Sequence, residues 1–150
     1  MALALALLAH GAQAAVGPFA ALAGSWSGGG TLTMSSGAQE RIRCRADYAP
    51  AAGGGSLRLN IRCASDSYNF DLASDVSYNG GAISGEWSET SRNVSGTISG
   101  RANGDRIQAF ARSDMLSASL SLITRGDRQS VAIQPQGSEV RAVSITLNRR

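Results

Sequence analysis

The sequence predicts an all-β protein, a single antiparallel up-and-down β-barrel of about 8–10 strands. From Trp26 onward, short segments rich in Val, Ile, Leu, Thr and Tyr alternate apolar with polar residues. Clusters of Gly, Asn, Asp and Ser separate these segments at the spacing that is typical of barrels and sandwiches. No helical period is sustained after the first residues, and 150 residues suit one domain.

The elements follow from this alternation in chain order. The stretch "GPFAALAG", residues 17–24, predicts one short helical turn before the first strand. The predicted strands are 26–34, 40–48, 56–64, 68–78, 82–90, 94–101, 106–112, 115–124, 130–135 and 140–148. Because the turns between them are short, consecutive strands form hairpins, which favours a closed meander over a Greek-key sandwich.

Two cysteines test the register of one hairpin. Alternation places Cys44 and Tyr48 on the apolar face of "RIRCRADY", and Leu59 and Cys63 on that of "LRLNIRC". When Cys44 lies opposite Cys63, Tyr48 falls opposite Leu59, so both apolar sets share one face. The pattern predicts a Cys44–Cys63 disulfide in an exported protein, and the alternative is two free buried thiols.

The same register gathers arginines on the opposite face of this hairpin. All 14 basic residues of the chain are Arg, since Lys is absent. The face carries Arg41, Arg43, Arg45, Arg58 and Arg62. One interpretation is a solvated outer face; the other is an anion-attracting strip for lipopolysaccharide phosphates or another acidic partner, because Arg forks suit phosphate and carboxylate. A net charge of +3 is too small to indicate nucleic acid, and none is expected as a partner.

Glycines inside strands predict where the sheet bends. The motif "GSWSGGG" places Gly28, Gly29 and Gly30 in the first strand, and Gly85 and Gly96 lie in later strands. Strand glycines mark bends or close backbone approach, and barrels use them to curl the sheet.

Gly24-Ser25-Trp26 resembles the Gly-x-Trp motif that opens lipocalins and other calycin barrels. The resemblance implies a lipocalin-like barrel in which Trp26 plugs the closed end. It also implies that a basic residue after the last strand packs over this ring, and Arg149 or Arg150 occupies that place here.

Several kinds of catalytic, metal and cofactor site are excluded because the sequence lacks the residue types that they need. The only histidine, His10, lies before the predicted domain, and the absence of Lys removes Schiff bases, Ser-Lys dyads and the P-loop lysine. Without a domain His, a Ser-His-Asp relay, ordinary zinc sites and the usual haem ligand are also excluded. Of the carboxylates closest in sequence, Glu86 and Glu89 point to opposite faces of a strand, and Asp71 and Asp75 lie about 13 Å apart. We therefore predict no catalytic residue, no metal and no cofactor.

Residues 1–14 are predicted to be a cleaved signal peptide, and residues 15–150 form the barrel domain. The segment "MALALALLAHGAQAA" is nearly all Ala and Leu and ends in the small-x-small pattern Ala12-Gln13-Ala14. An uncleaved N-terminal anchor is the alternative, although so short a run cannot span a bilayer as a helix. We expect a periplasmic or secreted monomer with no transmembrane span in the mature chain.

The expected function is a non-enzymatic binding module that holds a small apolar ligand inside the barrel. The candidate lining residues are Tyr48, Tyr68, Phe70, Tyr78 and Trp87. Tyr68, Phe70 and Tyr78 share one alternation face and so one wall. Two other hypotheses remain open: an envelope or protein-interaction module acting through the arginine face, and a carboxylate-based hydrolase.

Overall fold

Ten antiparallel strands follow a short 3₁₀ turn in the computed structural model, which describes residues 17–150. The turn is Ala20–Leu22, and the strands are β1 (Gly24–Met34), β2 (Gln39–Pro50), β3 (Ser56–Ala64), β4 (Asn69–Asn79), β5 (Ala82–Glu89), β6 (Val94–Asn103), β7 (Arg106–Arg112), β8 (Ser117–Arg125), β9 (Arg128–Gln136) and β10 (Val140–Arg149). Each strand pairs with its neighbours in the chain, and β10 pairs with β1 to close the barrel. The predicted fold class is confirmed. The predicted signal peptide, residues 1–14, lies outside the described residues.

The barrel has two different ends. The turns β2–β3, β4–β5, β6–β7 and β8–β9 lie at one end, together with residues 17–23, and we call this the capped end. The remaining connections, among them residues 65–68 and 90–93, lie at the other end, which we call the open end. Phe19 and Leu22 of the N-terminal segment are buried at the capped end, so this short segment forms a floor under the barrel. Within residues 17–150, no helix is long and apolar enough to cross a membrane.

The β2–β3 hairpin has the register that the cysteines predict. Cys44 pairs with Cys63, Tyr48 with Leu59, and Arg45 with Arg62. Cys44 and Cys63 form a disulfide, with their Cα atoms 4.2 Å apart. The bond closes a loop of 19 residues, and a loop of this size stabilises the folded state by about 3 kcal/mol through the unfolded chain.

Glycines allow neighbouring strands to approach where the sheet curls. A Cβ on Gly28 or Gly30 of β1 would overlap the carbonyl oxygens of Thr146 and Ser144 on β10. A Cβ on Gly96 of β6 would overlap the carbonyl of Arg112 on β7. Any larger residue would push the paired strands apart, so these glycines set the tight curvature that lets ten strands close.

The interior is filled unevenly. Beneath β1, β2 and β10, large side chains pack solidly, and Trp26, Leu32, Ile42, Ile145 and Leu147 are each at most 3% exposed. On the side of β5 to β8, the inward positions hold small residues: Gly85, Gly96, Gly100, Ala109, Ala111 and Ala118. Because these residues cannot reach the barrel axis, a space remains on this side.

Candidate functional site

An apolar cavity occupies the loosely filled half of the barrel. Its volume is about 170 Å³, and it extends from Phe19 and Leu22 at the floor to Tyr68 and Leu116 at the open end. Inward side chains of β3 to β9 form its walls, including Leu59, Ile61, Leu72, Ile98, Leu120 and Ile133. Aliphatic and aromatic groups dominate this lining, so the cavity suits an apolar molecule better than a polar one.

Four of the five predicted lining residues border this cavity. Tyr48, Phe70 and Trp87 lie along its walls, and Tyr68 stands at its open end. Tyr78 shares the inward face of β4, as predicted, but it packs against the core near the capped end and does not border the cavity. Its strand partner Ile83 does border the cavity, so the role of Tyr78 as a lining residue stays a prediction. The predicted lining also omits the aliphatic residues from β7 to β9, although their alternation is present in the sequence.

A buried polar chain lies behind the cavity wall near the capped end. The Tyr48 hydroxyl donates a hydrogen bond to Oε1 of Gln129 over 2.6 Å, and Nε2 of Gln129 donates to Oγ1 of Thr124 over 3.0 Å. Gln129 is fully buried. Burial raises the pKa of Tyr48, because the phenolate would lose its hydration there. The phenol is therefore a neutral, satisfied group in this wall.

Two charged side chains of the described cavity lining, Glu89 and Arg92, lie at the open end. The Arg92 guanidinium lies 4.1 Å from the centre of the Tyr68 ring, donates to the carbonyl of Asn69 over 2.9 Å and lies 3.5 Å from Glu89. These contacts tie the β3–β4 and β5–β6 connections together across the edge of the cavity.

Glu89 is held in place by backbone groups. Its carboxylate accepts hydrogen bonds from the N–H groups of Asp71, Ser91 and Arg92. Desolvation opposes the charged form, but these donors outweigh it and the pKa of Glu89 is lowered. Glu89 is therefore ionised and engaged at neutral pH, which gives it the character of a structural carboxylate at the cavity edge.

The capped end has the arrangement that the calycin resemblance implied. Trp26 is fully buried, and its indole Nε1 donates to the carbonyl of Leu22 over 2.8 Å. The Arg149 guanidinium lies 4.4 Å from the Trp26 ring centre and donates to the carbonyls of Ala21 and Ala23. Arg149, and not Arg150, is the residue that covers the plug.

The five arginines of the predicted anion face all lie exposed on the outer side of the barrel. Two of them are neutralised by β4: Arg58 lies 3.1 Å from Asp75, and Arg62 lies 3.2 Å from Asp71. Arg41, Arg43 and Arg45 have no acidic partner within 4.0 Å among residues 17–150, and we call these three the arginine row. This face therefore has two arginines in ion pairs with β4 and three, the arginine row, without such a partner among the described residues.

The carboxylates considered for hydrolysis are separated by the sheet. Glu86 is exposed on the outside of β5, whereas Glu89 faces inward at the cavity edge. Asp71 and Asp75 lie on the outer side and pair with arginines. Across the described part of the chain, no group of three Cys, Asp or Glu side chains is placed to hold a metal ion.

Comparisons with solved structures identify the class of fold. Rv2717c from M. tuberculosis superposes with a TM-score of 0.68 at 15% identity, covering 87% of this chain and 94% of that one. The S-type phycobiliprotein lyase CPES from Guillardia theta superposes with a TM-score of 0.64 at 13% identity, covering 88% of this chain and 89% of that one. Both are ten-stranded barrels of the calycin-like kind, so the chain has that fold. No sequence family and no curated protein matches it.

Proposed function

We propose that this protein binds a small apolar molecule in its barrel without transforming it. The observation that carries the proposal is the cavity of about 170 Å³, lined mostly by aliphatic and aromatic side chains on one side of an otherwise solid barrel. A phycobiliprotein lyase shares the fold, which is compatible with a ligand-binding barrel.

The cavity size specifies the size of the ligand. A cavity of about 150 Å³ lined by apolar residues holds benzene, whereas pockets for larger molecules measure about 300–1,000 Å³. The expected ligand is therefore a one-ring aromatic or a short branched hydrocarbon. Tyr48 and Trp87 present ring surfaces to it, and the small residues of β7 and β8 leave the room that it fills.

A binding role is supported by the state of the polar groups around the cavity. Glu89 is ionised and saturated with backbone donors, and the Tyr48 hydroxyl is engaged with Gln129. Neither is poised to transfer a proton, because a general acid or base needs a pKa near the working pH and access to the substrate. We accordingly propose that the chain is not an enzyme.

The test is a titration with toluene, followed by two-dimensional NMR of the ring and methyl signals. Binding should shift the indole signal of Trp87 and the methyl signals of Leu120 and Ile133, and should leave Trp26 unchanged. Bound ligand should also raise the free energy of unfolding, by about 2.7 kcal/mol at a concentration 100 times the Kd.

A matched pair of variants distinguishes cavity binding from adhesion to the surface. Ala118→Leu adds three carbons inside the cavity, whereas Ala132→Leu adds them to an exposed outward position of β9. We expect the first to abolish the toluene shifts and the second to keep them. Equal binding by both variants, with each shown to be folded by circular dichroism, would contradict the proposal.

We further propose that the protein acts outside the cytoplasm, as a periplasmic or secreted monomer. The Cys44–Cys63 disulfide supports this, since such bonds persist in oxidising compartments. Mass spectrometry of the protein isolated from its native source should show a chain that begins after Ala14 and joins Cys44 to Cys63 without reduction. A chain that begins at Met1 with free thiols would overturn this part of the proposal.

A further inference from the structure

The arginine row borders a shallow open groove on the outside of the barrel, separate from the cavity. The groove measures about 1090 Å³, and its outward-facing border includes Ser27, Gly29 and Thr31 of β1, Ala64 of β3 and the ion pair between Arg62 and Asp71. Gly29 pairs with Arg43 on one side, and Ala64 pairs with Arg43 on the other. The arginine at the centre of the row is therefore flanked by the smallest side chains, and its guanidinium is open from both sides.

The charge of this row is not balanced by the sheet around it. β4 supplies Asp71 and Asp75 to Arg62 and Arg58, which are the outer arginines of the neighbouring strand. Asp47, the acid on the same face of β2 beyond Arg45, accepts a hydrogen bond from Ser25 over 2.6 Å. Arg45 also lies directly opposite Arg62 of β3, and like charges in this position destabilise a sheet, so a bound anion would relieve their repulsion.

The spacing and the neighbours define the anion. Alternate residues of a strand lie about 7 Å apart, so the row presents three guanidinium groups in a line about 14 Å long. Hydroxyl groups run parallel to this line: Thr31 pairs with Ser144, and Gly29 pairs with Thr146, on the adjoining strand β10. A linear partner would meet cations along one edge and hydroxyls along the other.

We propose that this groove binds an anionic polysaccharide, a linear sugar chain that carries sulfate or phosphate groups. Arg41, Arg43 and Arg45 contact the anionic groups, because the guanidinium fork matches their oxygen geometry. Ser27 and Thr31 exchange hydrogen bonds with the sugar hydroxyls. Arg62 also lines the groove, opposite Arg45, but Asp71 holds it, and Arg58 lies outside the groove and is held by Asp75, so both contribute less to binding.

Two other polyanions fit this surface less well. Single-stranded nucleic acids are held by aromatic rings that stack on the bases, and no outward-facing residue of the described strands β1 to β3 is aromatic. A lipid bilayer is flat and is anchored by inserted apolar groups, whereas this surface is a groove whose border is mostly Ser, Thr, Gly and Arg, with Asn69 and Asp71 beside them.

The experiment measures the binding of a fluorescent heparin-derived octasaccharide by anisotropy over a range of salt concentrations. The test variant is Arg41→Gln, Arg43→Gln and Arg45→Gln combined. The control variant is Arg101→Gln, Arg106→Gln and Arg128→Gln combined, which removes the same charge from exposed arginines elsewhere on the barrel. Both variants are checked for folding by circular dichroism and for toluene binding, which is independent of the outer face.

We expect the test variant to lose about tenfold or more in affinity. The slope of log K against log salt should fall in magnitude by about 3, because each of the three replaced arginines would otherwise neutralise one anionic group. The control variant should bind within about twofold of the wild type, apart from a small uniform effect of net charge. Equal losses of affinity in the two variants would overturn the proposal. Tighter binding of an oligothymidylate of equal charge than of the octasaccharide would also overturn it. Binding to vesicles that contain phosphatidylglycerol, without binding to the octasaccharide, would overturn it as well.

Discussion

Tyr48 places an ionisable group in the wall of an apolar cavity, and its protonation is coupled to folding. Burial raises its pKa because the interior solvates the phenolate poorly. An unfolded chain ionises its tyrosines near pH 10. Above that pH the unfolded state binds fewer protons than the folded state. The contribution of Tyr48 to the free energy of unfolding is therefore constant below about pH 10 and falls as the pH rises further.

We therefore predict that Tyr48 ionises only when the barrel unfolds in alkali. The measurement is the tyrosinate absorbance of the wild type minus that of Tyr48→Phe, recorded beside far-ultraviolet circular dichroism. The difference should stay at zero until the β signal is lost. Tyr48→Phe should also lower the free energy of unfolding at neutral pH by about 1–3 kcal/mol, since Gln129 then lacks its hydroxyl donor. A tyrosinate step from Tyr48 near pH 10 in the folded protein would contradict this prediction.

The curvature of the strands depends on glycines at positions that face the barrel interior. Gly96 lies opposite Trp87 of β5, and a Cβ there would overlap the Arg112 carbonyl of β7 and approach the Trp87 indole nitrogen to 3.1 Å. The clash involves backbone, which cannot move aside without separating two paired strands. The indole itself is fixed by its hydrogen bond to the carbonyl of Thr97.

We predict that Gly96→Ala lowers the free energy of unfolding by about 2–3 kcal/mol, the upper part of the range for overpacking. Gly55→Ala is the matched control, because nothing lies within 4 Å of a Cβ at Gly55 and its backbone is outside the left-handed region. It should leave stability within about 0.5–1 kcal/mol of the wild type. Urea denaturation followed by circular dichroism measures both, and similar values for the two variants would refute the steric argument.

At the scale of the whole molecule, Arg149 joins parts of the chain that are distant in sequence. Its side chain covers Trp26 at the start of β1, donates to the floor carbonyls of Ala21 and Ala23, and lies 3.0 Å from Asp127 in the β8–β9 turn. Barrel closure through the β1–β10 pair brings these groups together. The side chain is only 28% exposed, so much of it is covered by the floor and by Trp26, whereas Asp127 is 83% exposed.

We predict that Arg149→Met lowers the free energy of unfolding by about 2–3 kcal/mol, because the floor carbonyls lose charged donors and Trp26 loses its cation. Guanidinium denaturation, followed by the emission of Trp26 in a Trp87→Phe background, reports on the capped end directly. Arg150→Met is the control: the Arg150 side chain is exposed, and the described hydrogen bond of this residue runs from its backbone N–H to the carbonyl of Ser25. If both substitutions cost the same, Arg149 does not hold the capped end closed.

The alternation of apolar and polar residues in the sequence is enough to predict most of the fold. Each predicted strand matches an observed one with shifts of at most a few residues at its ends, and the β2–β3 register follows from placing Cys44 opposite Cys63. These features are local: alternation needs only the pleat, and a hairpin register needs only a short turn and one fixed pair. For the same reason, alternation places Tyr48, Phe70 and Trp87 on the inward faces where the structure has them.

Which groups lie across the barrel from each residue depends on how the strands are arranged in three dimensions. Alternation puts Tyr78 and Phe70 on the same wall, but of the two only Phe70 borders the cavity. The five arginines look equivalent in sequence, and pairing with β4 leaves only the arginine row open. The face that each residue occupies can be predicted from the sequence, because it depends on neighbours along the chain. The cavity, the plug contacts and the open charges depend on distances between strands far apart in sequence, which exist only once β10 closes on β1.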